Sequence, residues 1–271
     1  MELSAPLTVE RLRHPLKFRL LQVRRVVRLS PYMVCITFTG DDLADFVSAS
    51  FDDHLKVLLP HPGETAPALP TLGPDGPVYP QGRNKPITRD YTPRRYDAAT
   101  GELDIEFVLH DAGPATLWAA QAQPGQCIGI GGPRGSFIIP TGYDWHLLVG
   151  DESALPAIAR RLEELPASSQ AHAVLSVSHE AARLTLQSAA QLHLTWVTAD
   201  SPHGQADSML AALQQWATPA GQGYAWVAGE LSMVRAVRSL LLTERGLDKA
   251  RVRAASYWKQ GEIASHETLD D

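Results

Sequence analysis

The feature that most constrains this chain is a change of hydrophobic period near residue 140. Downstream of it the order is "HLLVG", "SALPAIARRLEEL", "AHAVLSVS", "LHLTWVT", "QADSMLAALQQW", "YAWVAGE", "SMVRAVRSLLLTERG" and "VRAASYW". Strands that read as unbroken apolar runs, interleaved with stretches of helical period, require a parallel sheet covered on both faces. Upstream the apolar runs are short and set apart by Gly, Pro and Asp: "LLQVRRVVRL", "YMVCITFTG", "HLKVLLP", "LDIEFVLH" and "QCIGIGGP". That spacing belongs to an antiparallel sandwich or barrel. The chain of 271 residues therefore divides into an all-β domain, 1–140, and an α/β domain, 141–271, with "PTGYD" as the junction. The Pro- and Gly-rich stretch 60–86 reads as a loop.

Charge and cysteine usage then remove whole classes of function. A net charge of -6 argues against wholesale binding to nucleic acid or to an anionic membrane, so any anionic ligand must be met by local cations. The two cysteines, Cys35 and Cys127, stand far apart outside any C-x-x-C pattern, which speaks against a zinc site or an iron–sulfur cluster. The first residues lack the apolar core of a signal peptide, and no apolar run approaches a membrane span. A reducing, cytoplasmic location is expected.

Chemistry concentrates first in "RDYTP", 89–93. On a strand Arg89 and Tyr91 share a face, and Pro93 ends the pairing beside Thr92. A guanidinium forks onto phosphate, a phenol stacks on a flat ring, and a hydroxyl makes one directed hydrogen bond. Together they suit a flavin nucleotide, although an ordinary surface strand with a salt-bridged arginine has the same letters. "HDAGPATLWAAQA", 110–122, follows a strand and opens a helix with Gly113 before Pro114. Its first-turn amides suit a pyrophosphate, or simply start a packed helix. "GGPRGSF", 131–137, is Gly-rich, but it precedes the first α/β strand and does not satisfy the dinucleotide fingerprint G-x-G-x-x-G.

Taken in order, R-x-Y-T, H-D-x-G-P-A-x-x-W-A, G-P-R-G-S, "GDESALPA", "AGE" and "RAASYWKQG" resemble the siderophore-interacting, FAD-dependent ferric-siderophore reductases of the ferredoxin–NADP reductase superfamily; "FDDHLKVLLP" fits as well. The resemblance runs from about Phe18 to Gly261. It implies an N-terminal six-stranded antiparallel FAD-binding barrel and a C-terminal parallel-sheet domain for NADPH or NADH. It places Arg89, Asp90, Tyr91 and Thr92 on the flavin, with His110, Asp111, Ala112, Gly113, Ala115 and Thr116 around its ribityl–pyrophosphate region. Asp151, Glu152 and Ser153 of "GDES", with Gly229 and Glu230 of "AGE", would line the nicotinamide crevice at the carboxyl ends of their strands. Ser153 is expected to cap the following helix. Tyr257 or Trp258 would cover the flavin.

Nicotinamide yields two electrons at once whereas ferric iron accepts one, which gives such a chain reason to hold FAD. A ferric siderophore is commonly anionic, and Lys56, Arg134 and Lys259 are the expected substrate-pocket cations. Lys56 should share a strand face with His54 and Asp52, opposite Leu55, Val57 and Leu59. The group Asp52, Asp53 and His54 is not expected to hold a metal. A general flavin or ferredoxin-type reductase, and a siderophore-binding module with structural FAD, are the rival readings. Arg183 and Arg235 favour a nucleotide 2′-phosphate and Glu180 opposes it. The acidic tail "EIASHETLDD" reads as a short helix or as disordered, and the protein is expected to be a monomer.

Overall fold

The computed structural model describes residues 7–110, 113–199, 202–261 and 267–268. They form two compact units, Val9–Ile139 and the chain from Pro140 onward together with the stretch before Val9.

The first unit contains β1 (Glu10–Arg13), β2 (Phe18–Ser30), β3 (Met33–Thr39), β4 (Leu55–Leu59), β5 (Thr71–Gly73), β6 (Gly76–Val78), β7 (Ile87–Tyr91), β8 (Arg95–Asp97), β9 (Glu102–Val108), α1 (Pro114–Ala120), β10 (Cys127–Gly131) and β11 (Gly135–Ile138). Its main sheet is antiparallel, in the order β7-β4-β10-β2-β3-β9-β8. The expected antiparallel barrel is present as a curled half-barrel, and the strand count differs slightly from six: six strands have five residues or more, and β8 adds a three-residue seventh. The sheet curls until Tyr91 of β7 packs against Phe107 of β9, with ring centroids 4.4 Å apart. Alternate residues, among them Leu21, Ile36, Val57, Ile105 and Ile130, fill the interior. Both faces of β9 are buried. Leu103, Ile105 and Phe107 point inward, while Glu102, Asp104 and Glu106 lie under Arg24, Arg94 and Arg95, with ion pairs of 2.8–3.3 Å. That acidic ladder, after burial itself, pushes the Cys35 thiol up to about 12, so this cysteine is a packing residue. The stretch 60–86 is not wholly loop, because β5 and β6 pair within it as a hairpin.

The second unit contains β12 (Trp145–Gly150), α2 (Leu155–Glu164), β13 (Gln170–Val177), β14 (Gln191–Thr198), α3 (Pro202–Gln215), β15 (Gly223–Glu230), α4 (Leu231–Ser239), β16 (Val252–Trp258) and β17 (Glu267–Thr268). Strand order is β14-β13-β12-β15-β16-β17, parallel except for β17. Part of the acidic tail thus joins the sheet edge as a strand, where a helix or disorder was expected. The order reverses at β12, whose neighbours are β13 on one side and β15 on the other. Outside the carboxyl ends of β12 and β15 lies the switch point at which open α/β sheets hold ligands. Val149, Ala225 and Val227 of this sheet join Met233, Val234 and Val237 of α4 in one core.

Candidate functional site

In the first unit the site is built around β7. Arg89 lies opposite Val57 and Tyr91 opposite Leu55, so both share the face that carries the interior side chains. The Tyr91 ring is wedged on Phe107, and burial pushes its phenol far above the ordinary range. It therefore offers a neutral, oriented ring. Arg89 is half-buried; its Nη1 donates to the Thr88 carbonyl at 2.7 Å, and among the described residues no carboxylate pairs with it. A partly desolvated guanidinium with no counter-ion among the described residues, on the same strand face as a fixed aromatic ring, is a donor set that suits a flavin nucleotide, so these residues fit FAD. Thr92 is buried just past the strand end.

The rest of the expected flavin set is uneven. Asp90 points to the opposite face and binds Lys56 Nζ at 2.8 Å. Gly113 begins α1 with a φ of 135°, a conformation that favours glycine, and supplies no side-chain cap. Ala115 is buried in the core and Thr116 donates its hydroxyl to the Val108 carbonyl at 3.3 Å, which leaves main-chain groups as their offer to a ligand. His110 is exposed. Asp111 and Ala112 lie outside the described residues.

Lys56 and Arg134 lie at the same end of the β4–β10 pair. Lys56 is opposite Gly131 across β4 and β10, and Arg134 follows three residues later in the turn. Arg19, buried in the interior, holds that turn by donating to the Gly132 carbonyl at 3.3 Å. Arg134 is exposed with no ion-pair partner among the described residues, whereas the charge of Lys56 is already matched by Asp90. The expected strand face joining Lys56 to His54 and Asp52 does not form, because β4 begins at Leu55 and Asp52 is buried in the preceding turn. Neighbouring Asp53 accepts hydrogen bonds from the Ser48 and Ser136 hydroxyls, each at 2.8 Å.

In the second unit the register sets Gly150 beside Ala228, which brings Asp151 against Gly229 and Glu230 at the switch point. Ser153 is not a helix cap, since Ala154 occupies that position; the Ser153 hydroxyl donates to Asp151 instead. Glu230 caps α4 by accepting from the amides of Ser232 (2.6 Å) and Met233 (3.3 Å) and from the Ser232 hydroxyl. Burial raises its pKa, but these donors and the Gln260 amide outweigh it and hold the carboxyl below its usual range. Glu152 reaches across to Ser178, accepting from its amide at 3.1 Å and its hydroxyl at 3.0 Å. Sequence reasoning missed Ser178; its position directly after an apolar strand was the available signal. Arg183 donates to Glu180 at 3.2 Å and to Thr198 at 3.1 Å, near the ends of β13 and β14. Tyr257 packs its edge against Trp226, while Trp258 keeps 37% of its surface exposed and donates its indole N–H to Asp151 at 2.9 Å. Lys259 follows Trp258 just past the end of β16.

Comparison with known proteins bears on both units. Residues 22–137 match the family model "Siderophore-interacting FAD-binding domain" and residues 143–261 match "Siderophore-interacting protein". An NADPH-dependent ferric-chelate reductase of Escherichia coli (strain K12) is 38% identical over 94% of this chain and 98% of its own length. The ferric vibriobactin reductase ViuB of Vibrio cholerae is 35% identical, covering 92% and 93% respectively. The crystal structure of a siderophore utilization protein from T. fusca superposes with a TM-score of 0.85 at 37% identity, over 95% of this chain and 98% of that one. Two family models that together cover most of the sequence, and relatives aligned nearly end to end, lead to one conclusion: this chain belongs to the siderophore-interacting protein family.

Proposed function

We propose that this protein is an FAD-dependent ferric-chelate reductase that draws electrons from NADPH and delivers them to Fe(III) held in a siderophore, releasing Fe(II). The observation that carries this reading is Arg89: a half-buried guanidinium with no carboxylate partner among the described residues, on the same strand face as Tyr91, whose ring packs on Phe107. Bound FAD supplies the conversion of a two-electron hydride into single electrons. Everything else is positioning and field by the chain. Arg89 binds flavin phosphate, Tyr91 supports the flavin ring, and Thr92 supplies a hydroxyl beside it. The amides around Gly113 serve the pyrophosphate region.

In the unit from Pro140 onward, the main chain at Glu152, Ser153 and Gly229 lines the nicotinamide nucleotide, since the Ser153 hydroxyl is taken up by Asp151 and the Glu230 carboxylate by Ser232 and Met233. Trp258 presents its exposed ring to a cofactor ring. The choice of NADPH rests on the name of the Escherichia coli relative and on Arg183 at the strand ends. Within the unit Val9–Ile139, Arg134 is the principal cation for an anionic chelate, with Lys56 as a further contact. We infer a cytoplasmic monomer, the expectation drawn from the sequence. No helix among the described residues is long and apolar enough to cross a membrane.

The test has two stages. The purified protein should show flavin absorption bands that bleach anaerobically with NADPH faster than with NADH. Adding a ferric siderophore should then restore the bands and deliver Fe(II) to a ferrous-specific chelator. Protein that binds no flavin overturns the assignment, and bleached flavin that yields no Fe(II) favours a general flavin reductase.

A further inference from the structure

The geometry points to a role for Asp151 that no nucleotide contact explains: it is a positioning residue that fixes the indole of Trp258 at the carboxyl edge of the parallel sheet. Asp151 is 4% exposed, and both of its oxygens are fully used. Oδ1 accepts from the Ser153 amide at 2.9 Å and the Ser153 hydroxyl at 2.5 Å; Oδ2 accepts from the Glu230 amide at 2.8 Å and Trp258 Nε1 at 2.9 Å. Four donors saturate the acceptor capacity of a carboxylate, so nothing is left for a ligand.

Three surrounding features exist around this contact. Gly229 sits at a φ of 143°, and a Cβ there would fall 2.6 Å from Asp151 Oδ2, in the space the carboxylate occupies. The β15–β16 ladder slips by one residue at this point: Gly229 faces Ser256, but Glu230 faces Trp258, which leaves Tyr257 as the extra residue. A bulge re-aims the side chain beside it. The main chain beyond is also held, because the Gln260 amide donates to Glu230 Oε1 at 3.4 Å. Trp258 is thus pinned at its N–H by Asp151 while about a third of its surface stays open. A tryptophan on a strand end without such a tether would populate several rotamers. Holding one of them pre-organises a flat surface for the ring of a redox cofactor. This inference rests on the reading of Trp258 as a cofactor contact.

The FAD-loaded full chain tests it through the indole signal and through rates. In ¹⁵N spectra the Trp258 indole N–H, assigned by its loss in Trp258→Phe, should resonate downfield and exchange slowly with water. Asp151→Asn should move it upfield and speed its exchange, since one amide oxygen cannot serve both donor pairs. Trp258→Phe should slow flavin reduction by up to about tenfold, in line with the loss of one good ring contact. Adding Asp151→Asn to Trp258→Phe should change the rate by less than about twofold, because the two act as one unit.

A wild-type indole N–H that exchanges as fast as a free one overturns the proposal, and does so even if Asp151→Asn fails to fold. Additive effects in the double variant also overturn it, by showing that Asp151 merely braces the fold. If Trp258→Phe leaves the rate unchanged, the cofactor role of Trp258 falls instead, and the indole signal alone decides whether Asp151 holds it.

Discussion

At the scale of single residues, three cations of this chain differ in what surrounds them, and the difference can be measured. Arg89 lacks a carboxylate among the described residues, so Arg89→Ala should lose FAD on dialysis, and Tyr91→Ala should weaken ring packing worth about 0.5–1.5 kcal/mol. Flavin occupancy read from the absorption spectrum checks both; full retention in each variant would remove the assignment. Lys56 lies opposite Gly131, three residues before Arg134, yet Asp90 already matches Lys56 at 2.8 Å. Arg134→Ala should therefore raise the KM for an anionic ferric chelate more than Lys56→Ala does. Asp90→Asn, which releases the lysine charge, should lower that KM. These effects should shrink as salt is added and be absent with a neutral chelate. An unchanged KM in Asp90→Asn would mean that Lys56 does not meet the substrate.

At the scale of elements, the switch point depends on close approach of three strand ends. Gly229 leaves no room for a methyl group: beside Asp151, the Met233 Cε would lie 2.7 Å from it, and the backbone conformation is one that L side chains rarely adopt. Gly229→Ala should cost about 1–3 kcal/mol of stability, from strain and overpacking together. A fall in the urea midpoint checks this. A variant as stable as wild type would show that the β15 terminus is looser than its hydrogen bonds indicate. The N-terminus of α4 belongs to the same structure. Glu230 takes up its free amides, so this helix start is already compensated and has little attraction left for a phosphate.

At the scale of the whole molecule, the clearest pH dependence comes from His146, 1% exposed on β12. Burial, and then the Arg161 guanidinium, lower its pKa from 6.5 to about 3. The unfolded chain takes up this proton below about pH 6.5, while the folded chain resists it until about pH 3. Stability should therefore be free of this penalty above pH 6.5 and decline as pH falls through that window, by up to about 1.4 kcal/mol per pH unit from this group. Denaturation midpoints at pH 7 and pH 5 should converge in His146→Leu relative to wild type. Equal slopes in the two proteins would assign the acid sensitivity to other groups.

Much of the architecture was legible because periodicity is a local property of the chain. The apolar runs "HLLVG", "AHAVLSVS" and "YAWVAGE" became β12, β13 and β15, since a strand buried on both faces must be apolar throughout. The short β5–β6 hairpin and β8 escaped notice because three-residue strands carry no period. Ordered motifs along the chain placed it in its family, since motif order survives where contacts cannot be seen. Partnership was another matter. That Asp90 binds Lys56 and that Trp258 donates to Asp151 follow from strand register and the β15–β16 bulge, while Ser153 on Asp151 and the Glu230 cap of α4 are local contacts of turn geometry. Register joins residues up to 107 positions apart, and it is decided by the burial of whole faces. The sequence by itself determined which chemistry was present and on which kind of element; only the tertiary structure decided which charges were already answered and which were left to meet a ligand.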